Sequence, residues 1–150
     1  MNIGTMLERE EGLKSIPYYC SEFYPTVGIG WRIGDKHQSL SDFKHIKLCQ
    51  AAAHAQCEFQ VAGLTSILSD KFAFFEDLSE PRQCVLISMA YQLGVTGLCG
   101  FKKMLSAIAE GDFVTAAHEG LDSKWRLQTP ERAERQMVTL ISGDWSQYKC

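Results

Sequence analysis

The chain has 150 residues, 45% of them hydrophobic, enough for one domain with a sizeable core and inconsistent with a disordered or fibrous protein. Its 22% charged residues and net charge of −3 lack the basic footprint expected of a nucleic-acid-binding protein. No apolar run is long enough to span a bilayer, so membrane insertion is not expected.

Asn2 is suited to cap a short helix over residues 2–11, in which Ile3, Met6 and Leu7 follow the i, i+3, i+4 rule and which Gly12 ends. Glu11 lies at i+4 from Leu7, which puts a carboxylate in register with the apolar stripe. From Ile16 to Ile33, aromatic and β-branched residues broken by Pro17, Pro25 and glycines predict a small antiparallel sheet within a lobe of residues 13–40. Period two along Thr26–Ile33 puts Val27, Ile29, Trp31 and Ile33 on one face and Thr26, Gly28 and Gly30 on the other. Such a bare face marks a place where a ligand or another backbone comes close.

Past Gly34-Asp35, the pattern Phe43, Ile46, Ala53, Phe59, Leu64, Ile67 predicts a long connecting helix over residues 41–68. Residues 70–150 read as a helical lobe, with helices opened by Ser79-Glu80-Pro81, Asp112 and Thr129-Pro130 and turns at Gly94, Gly97 and Gly100. The expected fold class is α+β, mostly helical: one domain of two lobes, the N-terminal helix grouped with the helical lobe. A groove between two such lobes is a preferred place for a ligand.

The first eleven residues contain no basic segment leading into an apolar run, so no signal peptide is expected. The six cysteines (Cys20, Cys49, Cys57, Cys84, Cys99, Cys150) are accordingly expected as free thiols. His45 and Cys49 are i,i+4 and His54 and Cys57 i,i+3 on the predicted connecting helix, but no further Cys/His cluster joins them, and no metal site is expected.

The most informative spacing is Glu11, eight residues, Cys20, five residues, Thr26. It is accompanied in order by Val27-Gly28-Ile29-Gly30, Gln92-Leu93-Gly94-Val95-Thr96-Gly97, Gly100-Phe101, Trp125, Gln128-Thr129-Pro130 with Arg132 and Arg135, and Gly143-Asp144-Trp145. In this the chain resembles the phage T4-type lysozymes of glycoside hydrolase family 24, whose signature is Glu, eight residues, Asp or Cys, five residues, Thr. The resemblance implies a lysozyme-like two-lobe fold. It also implies an N-acetylmuramidase that hydrolyses the β-1,4 bonds between N-acetylmuramic acid and N-acetylglucosamine. As a phage endolysin it would be a monomer without metal or organic cofactor. It would be made in the host cytoplasm, released by a separate holin and active on peptidoglycan glycan strands in the periplasm or wall, causing host lysis.

Glycoside hydrolysis needs an acid for the leaving oxygen and a second group on the other side of the anomeric carbon. Glu11 is the expected acid. A carboxyl withdrawn from water holds its proton more tightly, as a general acid must, whereas a neighbouring cation acts oppositely, and the resemblance implies that Arg132 approaches Glu11. Cys20 stands where the commonest members carry aspartate; it is read as nucleophile or base, beside the alternative of an inert buried thiol. Thr26 is expected to position water or one face of the sugar. Tyr91, Gln92 and Arg132 are the expected substrate-binding residues, with Tyr91 open to a plain core role and Arg135 to a solvated one. Arg32, Met104 and Glu119 align with other cleft positions but differ in side chain, so no binding role is carried onto them. Trp31 and Cys57 replace a histidine and aspartate paired in the T4 enzyme. A catalytically degenerate, glycan-binding lysozyme fold is the alternative reading, and a cysteine hydrolase using Cys20 with His37, His45, His54 or His118 is a third.

Overall fold

A computed structural model describes residues 1–149 of the chain. Its fold is α+β and mostly helical, as the sequence predicts. Helix α1 (Ile3–Glu11) leads into strands β1 (Lys14–Tyr19), β2 (Pro25–Gly28) and β3 (Trp31–Arg32), followed by α2 (Gln50–Lys71), α3 (Glu80–Cys99), α4 (Lys102–Ala109), α5 (Phe113–Leu121), α6 (Lys124–Gln128) and α7 (Pro130–Ser142). Contacts divide the chain into two compact units, Gly4–Val61 and residues 1–3 with Ala62 onward. All of α1 except Ile3 falls with the strands in this division.

In the first unit, α1 buries Met6 and Leu7 completely and ends at Gly12, whose φ of +71° and N–H bond to the Glu8 carbonyl (2.9 Å) close the last turn. The sheet is antiparallel in the order β1-β2-β3. Its register slips between Lys14, opposite Gly28, and Tyr18, opposite Thr26. Pro17, which has no N–H to give the ladder, lies within that irregular stretch of an edge strand, the usual place for proline in a sheet.

Thr26–Ile33 is not one strand with period-two faces. The chain reverses after Gly28, and Thr26 and Val27 pair with Arg32 and Trp31. The cause is local: Gly28 (φ +66°) and Gly30 (φ +70°) take the left-handed conformation that a hairpin turn needs and L side chains avoid. The expected bare face is accordingly a turn, yet close approach does occur at both glycines. A Cβ on Gly28 would lie 3.4 Å from Ala53 and Leu48 side-chain atoms, and one on Gly30 would lie 2.9 Å from Glu11 Oε2.

The connecting helix also starts later than the expected residue 41. Ser39 caps a short 3-10 turn over Leu40–Phe43, and the Leu48 N–H then donates to the Ser15 carbonyl (2.8 Å), drawing the backbone onto the edge of β1 and out of a helical path. Helix α2 begins only at Gln50, and the boundary between the two units falls within it, after Val61.

The second unit is built on α3, whose consecutive buried residues Cys84–Ala90 leave no polar face there. Gly94 is more than a turn between helices: with φ +75° and ψ 160° it breaks α3 itself. Asp112 caps α5 by accepting the Thr115 N–H (3.0 Å). At the other end of α7, Gly143 (φ +70°) forms the C-cap, and Arg82 donates to the carbonyls of Leu140 and Ile141, both at 2.9 Å. A cation placed on terminal carbonyls satisfies orphan acceptors and opposes the helix dipole.

Candidate active site

Glu11, Cys20 and Thr26 all lie in the first unit. Glu11 is the last residue of α1 and half-buried, and its carboxyl group occupies the space a Cβ on Gly30 would need, with Oε2 2.9 Å from that position. The sequence register that sets Glu11 on the apolar stripe is thus matched, across the turn, by the absence of a side chain at Gly30.

Cys20 follows β1 in a tight turn: its N–H donates to the Tyr24 carbonyl (3.1 Å) and its carbonyl accepts from the Phe23 N–H (2.9 Å). It is a half-buried free thiol. Thr26, only 1% exposed, donates its hydroxyl to the Tyr24 carbonyl (2.9 Å), which leaves the oxygen's lone pairs as acceptors.

Tyr18 was not singled out by sequence reasoning. It pairs directly across the sheet with Thr26, so the two side chains share a face. Burial first, then the negative charges of Glu11 and of ionised Cys20, push its hydroxyl above the ordinary phenol range. Tyr18 therefore keeps its proton, and Lys14 Nζ lies 4.1 Å from its ring centroid. The one signal in the sequence was its place two residues before Cys20, and that alone is weak.

Tyr91, Gln92 and Arg132 lie in the second unit. Tyr91 is half-buried. The Gln92 side chain accepts the Trp125 indole N–H (2.8 Å) and donates to the Thr129 hydroxyl (3.4 Å), tying α3 to α6 and to the start of α7. Arg132 is 6% exposed and donates through Nη2 to the Ser88 carbonyl (3.2 Å) and hydroxyl (3.0 Å). The same Ser88 hydroxyl accepts from Gln136 Nε2 (2.8 Å), so a buried serine of α3 and two residues of α7 form one polar cluster. Arg135 is paired with Glu131 (3.8 Å) on the exposed side of α7. Met104 and Glu119 line a cavity of about 410 Å³ in this unit, together with Phe101, Lys103 and Asp122.

Cys20, Cys49, Cys57, Cys84 and Cys99 are free thiols; Cys150 lies outside the described residues. Burial, then Glu80, pushes the Cys84 thiol up to about 12, so it remains protonated. The His45–Cys49 pairing presupposed a helix that has not yet begun at those residues, and His54 is engaged instead with Glu8 (3.1 Å). Among the described residues there is no group of three or more potential metal ligands, and no single helix is long and apolar enough to cross a membrane.

A mostly helical α+β fold with a small antiparallel sheet, in which the Glu11 carboxyl meets the hairpin turn at Gly30, fits the lysozyme class of glycosidases. The family model described as phage lysozyme matches residues 8–139, and the chain belongs to that family. It is similar to the pre-baseplate central spike protein Gp5 of Enterobacteria phage T4 (31% identical over 170 residues, 99% of this chain), of whose length it spans only 29%. It is also similar to two proteins of Dictyostelium discoideum, "Probable T4-type lysozyme 1" (30% identical) and "Probable T4-type lysozyme 2" (28%), covering 99% of this chain and 98% of each of them.

Proposed function

We propose that the chain is a peptidoglycan muramidase in which Glu11 is the general acid and Cys20 replaces the usual aspartate. The observation that carries this reading is the Glu11 carboxyl seated on Gly30, with Tyr18 subject to the charges of both Glu11 and Cys20.

In the double-displacement form, Glu11 gives its proton to the glycosidic oxygen as the C1–O bond breaks and the Cys20 thiolate forms a C1–S bond. Water then attacks C1, Glu11 takes its proton, and the thiolate leaves. In the single-displacement form, Glu11 again gives its proton to the glycosidic oxygen as the C1–O bond breaks, while ionised Cys20 takes the proton of a water that attacks C1 directly, with Thr26 accepting a hydrogen bond from that water. The neutral Tyr18 hydroxyl would steady whichever negative charge develops beside it. Tyr91 would contact the glycan, while buried Arg132 acts through its bonds to Ser88, and Gln92 through Trp125 and Thr129. The physiological setting we propose is that of an endolysin, synthesised in the host cytoplasm as a monomer and released to the wall by a separate holin, where host lysis follows.

The test is turnover of purified peptidoglycan by the wild type, Glu11→Gln and Cys20→Ala, scoring new reducing ends and the anomer first released. N-acetylmuramic reducing ends from wild type, with each variant lowering the rate by at least about a hundredfold, are expected. A retained anomer assigns Cys20 as nucleophile and an inverted one assigns it as base. Folded wild type that binds glycan and releases no reducing ends would instead establish the degenerate binding module.

A further inference from the structure

Next to the Cys20 turn, three aromatic rings are left open to solvent. Phe23 is 55% exposed and Tyr19 41%, and His37 is exposed as well. The Phe23 and His37 rings stack at 5.4 Å between centroids and 28° between planes, and Tyr19 approaches Phe23 at 6.5 Å and 52°.

The backbone beneath them is unusual. Phe23 and His37, each with φ +65°, are the two non-glycine residues with positive φ among the described residues, and their rings stack on each other. A bulky aromatic residue is disfavoured in that conformation, and glycine would adopt it freely. The strain is held by hydrogen bonds: the His37 N–H donates to the Phe23 carbonyl (2.8 Å), the Phe23 N–H to Cys20, and the Tyr19 hydroxyl to the Gln38 carbonyl (2.9 Å). A strained backbone that supports exposed rings contributes nothing to a core, which is the signature of a ligand clamp.

We propose that Tyr19, Phe23 and His37 form a carbohydrate platform that takes the apolar face of an N-acetylhexosamine ring of the glycan strand, adjoining the Cys20 turn. The choice of occupant rests on the muramidase reading, and it has local support. Aromatic faces match the axial C–H groups of a pyranose. Glu22, the chain neighbour of Phe23, is paired with Arg32 (2.7 Å) and both side chains are half-exposed, so donors and acceptors for sugar hydroxyls accompany the Phe23 turn. A cation and an anion side by side favour neither a polyanion nor a polycation. The platform is also continuous with the candidate site, because Phe23 is bonded to the carbonyl of Cys20 itself.

The test measures binding of peptide-free glycan strands by isothermal titration calorimetry, in the Glu11→Gln background so that nothing is cut. The variants are Phe23→Gly and His37→Gly, which remove a ring and relieve the backbone, and Phe23→Trp, which keeps a ring. Each glycine variant is expected to hold or raise the thermal midpoint while weakening glycan binding about tenfold, with Phe23→Trp close to the parent. Folded glycine variants that bind as tightly as the parent overturn the platform. Reducing-end release by the wild type is read separately: its absence would sink the muramidase reading, while the binding series still decides the platform.

Discussion

Gly30 shows how one missing side chain sets a chemical group. With φ +70°, and with the Glu11 carboxyl where a Cβ would project, it combines two demands that only glycine meets. Gly30→Ala is expected to strain the turn and displace the carboxylate, lowering muramidase turnover by more than about tenfold and stability by about 1–2 kcal/mol. Gly12→Ala is the control, because Gly12 also has positive φ (+71°) but nothing within 4 Å of an added Cβ. It should lower the thermal midpoint with little change in turnover; equal losses of activity in the two variants would refute the assignment. Glu11 was legible in the sequence through its helical register with Leu7. The reason for Gly30 was not, since the contact joins residues of α1 and a hairpin that no local pattern connects.

Helices follow local rules until a longer-range contact competes. The apolar pattern from Phe43 to Ile67 is continuous, yet α2 waits until Gln50 because Leu48 is hydrogen-bonded to β1. Inside α2, a Cβ added at Gly63 would meet nothing within 4 Å, and the backbone there has no positive φ. Gly63→Ala should therefore stabilise the chain by up to about 1 kcal/mol through helix propensity, measured by urea denaturation; a destabilised variant would show that the open space is needed. The α5 cap is a second case. Bonds from Thr115, through its hydroxyl and its N–H, hold the Asp112 carboxyl below the ordinary carboxylate range. The folded state thus favours the ionised form, so the stabilisation is present above the unfolded carboxyl's pKa and is lost as pH falls through the depressed folded value. Asp112→Asn should lower the thermal midpoint at neutral pH and approach wild type in strong acid. A deficit independent of pH would locate the effect elsewhere. This cap was legible, as Asp before an apolar helical run; the break at Gly94 inside α3 was legible only as a glycine.

At the scale of the whole molecule, a net charge of −3 gives no general attraction to an anionic wall. Clearing of wall suspensions should therefore hold or rise as salt is raised toward physiological strength; a steep fall would show that local basic residues, such as Lys102 and Lys103, govern adsorption. Composition and caps were sufficient for the α+β class, and the Glu11–Cys20–Thr26 spacing together with the motifs that follow it in order, from Val27 to Trp145, for the family resemblance and the choice of proposed reacting groups, because each depends on residue type and order along the chain. Three decisions belonged to tertiary structure: the hairpin that brings Gly30 to Glu11, the register that puts Tyr18 beside Thr26, and the use of Gln92 to hold Trp125 and Thr129. Each depends on which distant side chains meet, and a one-dimensional pattern carries periodicity and chemical type but not the pairing of residues far apart in the chain.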